Sequence, residues 1–236
     1  AENLVGFRVD SGGAGTRIKP KEAESVWGWV LDPLADDDKY VLVTIEPFGE
    51  DTYTRAEKMD VYSGRRVLVA RAPIPRASFT TDNAGAVRFA AGARSDNISK
   101  LYYRASDEAE WTLVNDEAKT GRVESAVGFS ADNRTAYLRV QQAKGPDVIV
   151  AYDVASGERK TVVEDDNVDP YDYIRAAGKG DALVGAMLMD GRQSTVFFDN
   201  ASADARLYRS LEAAFAGNAV SITSTTQDGK LALVHT

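Results

Sequence analysis

The sequence predicts an all-β protein, a β-propeller of four-stranded blades with about four to five blades present. Two observations carry that reading: an aspartate-centred turn recurring about every 47 residues, and a second turn series interleaved with it at the same period. A four-stranded unit of about 40–50 residues is the size of a propeller blade. In the first series Met59-Asp60-Val61-Tyr62-Ser63-Gly64 corresponds to Tyr152-Asp153-Val154-Ala155-Ser156-Gly157. Leu101-Tyr102-Tyr103-Arg104 falls midway with Arg104 in the aspartate's place; Phe197-Phe198-Asp199 follows and Phe7-Arg8-Val9-Asp10 precedes. The anchors at 10, 60, 104, 153 and 199 are spaced by 50, 44, 49 and 46 residues. Each has an apolar run before it and small polar residues after it, and the middle three lead into a further strand-like segment, which is a hairpin signature.

The second series supplies the other hairpin of each unit. Asp36-Asp37-Asp38-Lys39 precedes Tyr40–Val43, Asp82-Asn83-Ala84-Gly85 precedes Ala86–Phe89, and Asp132-Asn133-Arg134-Thr135 precedes Ala136–Leu138. Gly180-Asp181 and Asp228-Gly229-Lys230 open the last two runs, Ala182–Val184 and Leu231–Val234. Asn and Gly after Asp tolerate the positive φ that tight turns require. In chain order this predicts the outer half of a blade at 1–20, blades at 21–72, 73–116, 117–165 and 166–217, and the inner half of a further blade at 218–236. The fourth of these blades departs from the pattern. After Asp199, Leu207, Leu211, Ala214 and Phe215 fall at helical spacing and Gly217 offers a stop, predicting a short amphipathic helix near 202–216 in place of the outer strand.

Composition narrows the function. With 28 Lys+Arg against 36 Asp+Glu among 236 residues, the net charge is −8, and no basic stripe exists to engage nucleic acid. The longest apolar run, Leu183–Met189, is too short to span a bilayer. The absence of cysteine excludes disulfides, thiolate zinc sites and cysteine nucleophiles.

The chemical motifs are negative as well, and the expectation is no catalytic, cofactor-binding or metal-binding residue. The nearest approach to a nucleophile elbow, Gly128-Phe129-Ser130-Ala131-Asp132, lies in a repeat turn and lacks the second glycine. The single histidine, His235, is the penultimate residue, where a triad base cannot be held between partners. Asp165-Asp166-Asn167-Val168-Asp169-Pro170 begins like a calcium loop, but Pro170 replaces the turn glycine and Ala176 replaces the bidentate glutamate. Gly178-x-Gly180 lacks the third glycine of a dinucleotide fingerprint. The sequons at Asn97, Asn133 and Asn200 are patterns that arise freely by chance. Trp27, Trp29 and Trp111 all sit in strand readings, where packing is expected over ligand stacking.

The run Val196-Phe197-Phe198-Asp199-Asn200-Ala201-Ser202-Ala203-Asp204-Ala205-Arg206-Leu207, then Leu211–Gly217, Val220–Ser224 and Asp228-Gly229-Lys230, resembles the propeller of bacterial serine peptidases. The family is that of prolyl oligopeptidase, in its dipeptidyl aminopeptidase and acylaminoacyl peptidase branch. The helix inserted before the Asp-Gly hairpin is the most specific part. The resemblance implies a seven-bladed propeller that admits short peptides to a separate α/β-hydrolase domain. That domain carries the whole triad, so no catalytic residue transfers to this sequence. Nor is there a Glu-Glu pair of the kind that holds the substrate amine in dipeptidyl peptidases of the family. The implied partners are the hydrolase domain and peptide substrates, and the implied compartment is periplasmic or secreted rather than cytoplasmic. Because the first and last blades are cut in half, the chain is expected to be a piece of a larger protein with edges able to pair with another copy. Two other classes fit the same blades: a stand-alone protein-interaction scaffold and a small-ligand binding propeller.

Overall fold

Runs of alternating apolar and polar residues between the aspartate turns fold into antiparallel meanders. The computed structural model describes residues 8–10, 23–177, 181–226 and 228–236. The chain divides into two units, Ala1–Glu124 and Ser125–Thr236.

In the first unit β1 (Arg8–Asp10), β2 (Ala23–Asp32), β3 (Tyr40–Pro47), β4 (Arg55–Asp60) and β5 (Arg66–Arg71) form one sheet in sequence order. The three-residue β1 pairs with the start of β2, Arg8 opposite Ser25 and Asp10 opposite Ala23. Of the half-blade expected at 1–20 only Arg8–Asp10 is among the described residues, and it joins the sheet of β2–β5. A second meander contains β6 (Ser78–Thr81), β7 (Val87–Ala93), β8 (Ser99–Tyr103) and β9 (Thr112–Asp116). It runs into the one-turn helix α1 (Glu117–Thr120), capped by the Asp116 carboxylate. The core lies between the two sheets, where Leu42, Ala56 and Ala70 of one meet Phe79, Val87 and Ala90 of the other. The alanines allow close approach, and Trp111 seals the end with Nε1 donating to the Arg71 carbonyl at 3.1 Å. The opposite face of the first sheet buries Val26, Val43, Ile45 and Met59 together with a charged triad. There the Glu57 carboxylate is 3.0 Å from Arg55 Nε and 3.4 Å from Arg66 Nε.

The second unit begins within β10 (Val123–Phe129), which forms a four-stranded meander with β11 (Thr135–Gln141), β12 (Val148–Asp153) and β13 (Arg159–Val163). Next come β14 (Pro170–Arg175), β15 (Leu183–Asp190) and β16 (Arg192–Phe197), a three-stranded sheet followed by α2 (Ala203–Ala214). The hairpin of β17 (Ser221–Thr225) and β18 (Ala232–His235) ends the chain. Tyr137, Ile149 and Val163 pack against Leu183, Ala186 and Leu188, with the Tyr137 and Phe198 rings stacked 4.0 Å apart. Successive antiparallel meanders, built around a four-stranded unit and packed face to face within each unit of the chain, are propeller blades. A fifth strand is added in the first sheet and α2 takes the place of the fourth strand after β16; the fold is all-β of that class.

Helix α2 stands where a fourth strand would follow β16, as the spacing predicts, but it buries a different stripe. Leu207 and Phe215 are exposed, while Ala205 and Tyr208 are buried. Ala205 brings the helix close to the sheet. Tyr208 packs its ring 5.4 Å from that of Phe197, and its hydroxyl accepts the Ile222 N–H at 3.2 Å. The Ser202 hydroxyl caps the helix, and the Thr195 hydroxyl donates to Glu212 at 2.9 Å. The sequence periodicity marks an apolar face, but hydrogen-bonding residues choose the docked one.

The repeat turns match in detail. Gly64 and Gly157 have φ of 68° and 76°, and each donates its N–H to the carbonyl of the anchoring aspartate four residues earlier, at 2.8 Å in both. A β-branched residue at either position is strained by about 1–3 kcal/mol. Gly64→Val and Gly157→Val should therefore each lower the midpoint of a urea melt by a similar amount, whereas unchanged midpoints in both would break the equivalence of the two turns.

Candidate functional site

The aspartates that recur in the sequence are the obvious pool of chemistry, and the turns consume them. The Asp60 carboxylate accepts the N–H groups of Tyr62 and Ser63 at 2.9 and 3.0 Å. Asp153 does the same for Ala155 and Ser156 at 3.0 and 2.7 Å. Asp37, Asp82, Asp132 and Asp228 hold the interleaved turns in the same way. At Asp37, Asp60, Asp132, Asp153 and Asp228 these hydrogen bonds favour the charged form. Backbone N–H groups of Ser63 and Ser156 depress the pKa of Asp60 and Asp153, and the Ser130 and Thr226 hydroxyls lead the depression at Asp132 and Asp228.

A pH dependence follows. The folded-state pKa values of Asp37, Asp60, Asp132, Asp153 and Asp228 lie below the ordinary value of 3.8, so these turns contribute stability above that value and lose it as the pH falls through the folded values. Urea midpoints should hold steady from about pH 7 to 5 and decline below about pH 4. Asp153→Asn, which keeps an acceptor without the charge, should shallow that decline. A variant profile parallel to the parent's would remove Asp153 from the effect.

Arg104, which replaces the aspartate in one repeat, holds its turn from the other direction. Its Nε donates to the Val87 carbonyl at 2.8 Å, Nη2 pairs with Asp107 at 3.0 Å, and the guanidinium lies 5.0 Å from the Trp111 ring centre. Burial lowers its pKa, and the Asp107 charge opposes that shift.

The remaining candidates separate rather than converge. The Ser130 hydroxyl donates to Asp132 at 2.7 Å inside its own turn. His235 is exposed at the end of β18, paired in register with Ser221. The Asp165 carboxylate accepts the N–H groups of Asn167 and Val168, and Asp169 accepts that of Asp147 at 2.7 Å. Among the described residues no three His, Asp or Glu side chains are grouped as a metal site, and no helix is long and apolar enough to cross a membrane. Gly178 and Gly180 lie outside the described residues.

The tryptophans depart from expectation. Trp111 is packed, stacked against Phe79 with ring centres 6.4 Å apart. Trp27 and Trp29 are 58% and 38% exposed. Both point to the sheet face that packs on the second meander, but the covered part of that face centres on Leu42, Ala56 and Ala70. Strand alternation reveals which residues share a face; how far a neighbouring sheet covers it is a tertiary property.

No family model matches this chain, and no curated protein matches it. Among solved structures, the crystal structure of TolB from Acinetobacter baumannii aligns at 10% identity with a TM-score of 0.38, over 72% of this chain and 51% of that one. The chain thus spans about half of that structure's length.

Proposed function

We propose that this chain is the non-catalytic propeller part of a serine peptidase of the prolyl oligopeptidase kind, gating the access of short peptides to a separate α/β-hydrolase domain. The observation that carries the reading is α2. A capped helix takes the place of the blade's fourth strand on the same segment that bears the resemblance. The commitment of Ser130 to its own turn is in keeping with a part that leaves the chemistry to another domain.

The test compares two proteins. The 236-residue chain should leave chromogenic dipeptide and acyl-amino-acid substrates intact, and the full product of its gene should hydrolyse them and be labelled by a serine-directed phosphonate. A full-length product that is neither labelled nor active sinks the peptidase reading. The second reading, a protein-interaction scaffold, is favoured by the exposed Leu231 and Leu233 around β18. It would then lead.

A further inference from the structure

The face of the first sheet that carries Trp27 and Trp29 has the makings of a cation site. Both are on β2 two residues apart, hence on one face with side chains about 7 Å apart. In the β2–β3 register, Trp27 lies directly opposite Glu46 and Trp29 opposite Thr44. Directly opposed residues of an antiparallel pair have Cβ atoms about 5 Å apart, so the Glu46 carboxylate borders the Trp27 indole. Glu46 is half-buried, and among the described residues no hydrogen bond or ion pair engages its carboxylate. The hydroxyls of Thr44 and of Thr54, just before β4, are buried beside it without a partner among the described residues. Among the side chains described on this face the cation, Lys58, is engaged elsewhere: Nζ is 3.4 Å from Asp37 and 4.6 Å from the Tyr40 ring centre.

We propose that Trp27, Trp29 and Glu46 bind the arginine side chain of a peptide. Charge complementarity selects a cation, because a carboxylate with no partner among the described residues attracts positive charge directly, and the exposed indoles beside it do so through their ring quadrupoles. The exposure of both indoles beside a carboxylate selects guanidinium over ammonium. A planar guanidinium lies against an indole while offering two parallel N–H donors to one carboxylate, whereas an ammonium is a compact, strongly hydrated point charge. The peptide as occupant rests on the reading of this chain as a peptide-admitting module. The test, however, reads binding to the isolated chain, so a missing peptidase activity and a missing arginine site are separate results.

The experiment titrates the 236-residue chain with acetyl-Gly-Arg-Gly-amide, following tryptophan fluorescence and heat. Saturable binding is expected. The citrulline peptide, equal in shape but uncharged, and the lysine peptide should each bind roughly tenfold more weakly or worse. Glu46→Gln should weaken the arginine peptide roughly tenfold with an unchanged melting temperature, and Trp27→Ala should abolish saturation. Should Trp27→Ala fail to fold, Glu46→Gln and the citrulline comparison decide alone. The inference is overturned by an absence of saturable binding, by a citrulline or lysine peptide that binds equally well, or by a Glu46→Gln chain that binds as the parent does.

Discussion

Replacing Glu57 with alanine is expected to cost about 3–5 kcal/mol of folding stability. Glu57 lies between Arg55 and Arg66 on the face of the first sheet that also buries Val26, Val43 and Ile45. The Arg66 side chain is 3% exposed, so deleting the Glu57 carboxylate removes a counter-charge from a guanidinium in a low-dielectric setting. Desolvation dominates here, because Arg66 is buried and the side chains of Arg55 and Glu57 are only 15% and 12% exposed. The paired replacement Glu57→Leu with Arg66→Met removes both charges and should recover most of the loss, since a buried ion pair is frequently no better than well-packed apolar groups. Urea denaturation of the single and paired variants measures both. A loss below about 1 kcal/mol in Glu57→Ala would mean that the triad is solvated, contrary to its geometry.

Tyr208→Ala is expected to cost about 3–5 kcal/mol, the range for deleting a buried aromatic side chain. It removes the ring that meets Phe197 and the hydroxyl that accepts the Ile222 N–H, and so undocks α2 from both β16 and β17. Tyr208→Phe separates the two contributions. It keeps the ring and orphans one backbone donor, at about 1–2 kcal/mol. Hydrogen exchange should report the same division, with the Ile222 amide exposed in both variants and the α2 amides only in the alanine variant. A Tyr208→Ala loss within about 0.5 kcal/mol, the scale of a surface change, would show that the helix is not held by this residue.

The parts of the structure that were legible in the sequence are those fixed by local chemistry. A turn closed by Asp60 through the N–H groups of Tyr62 and Ser63 is complete within five residues, so its signature can be read from those residues alone. The same holds for Asp153, and for Asn133, which takes up the positive φ of 57° that its type tolerates. The inserted helix was legible because Leu207, Leu211, Ala214 and Phe215 keep a helical period that ends at Gly217. Its docked face was not. That Tyr208 rather than Leu207 points inward depends on Phe197 and Ile222, which the helical pattern cannot see. The burial of Glu57 and the exposure of Trp27 were hidden for a similar reason: alternation assigns sides to a strand without saying what covers them.

The strand order within every sheet has a kinetic consequence. Among the described residues each strand is hydrogen-bonded to strands adjacent in sequence, with no crossover in any sheet. The ladders are thus low in contact order, and each can zip from a turn already closed by its aspartate, without waiting for a distant segment to arrive. What must come later is the joining of faces, such as Leu42 and Ala56 with Phe79 and Val87, for which two finished ladders have to meet. Substitutions at Gly64 or Asp153 should accordingly slow folding, and those in the interfaces between sheets should chiefly quicken unfolding.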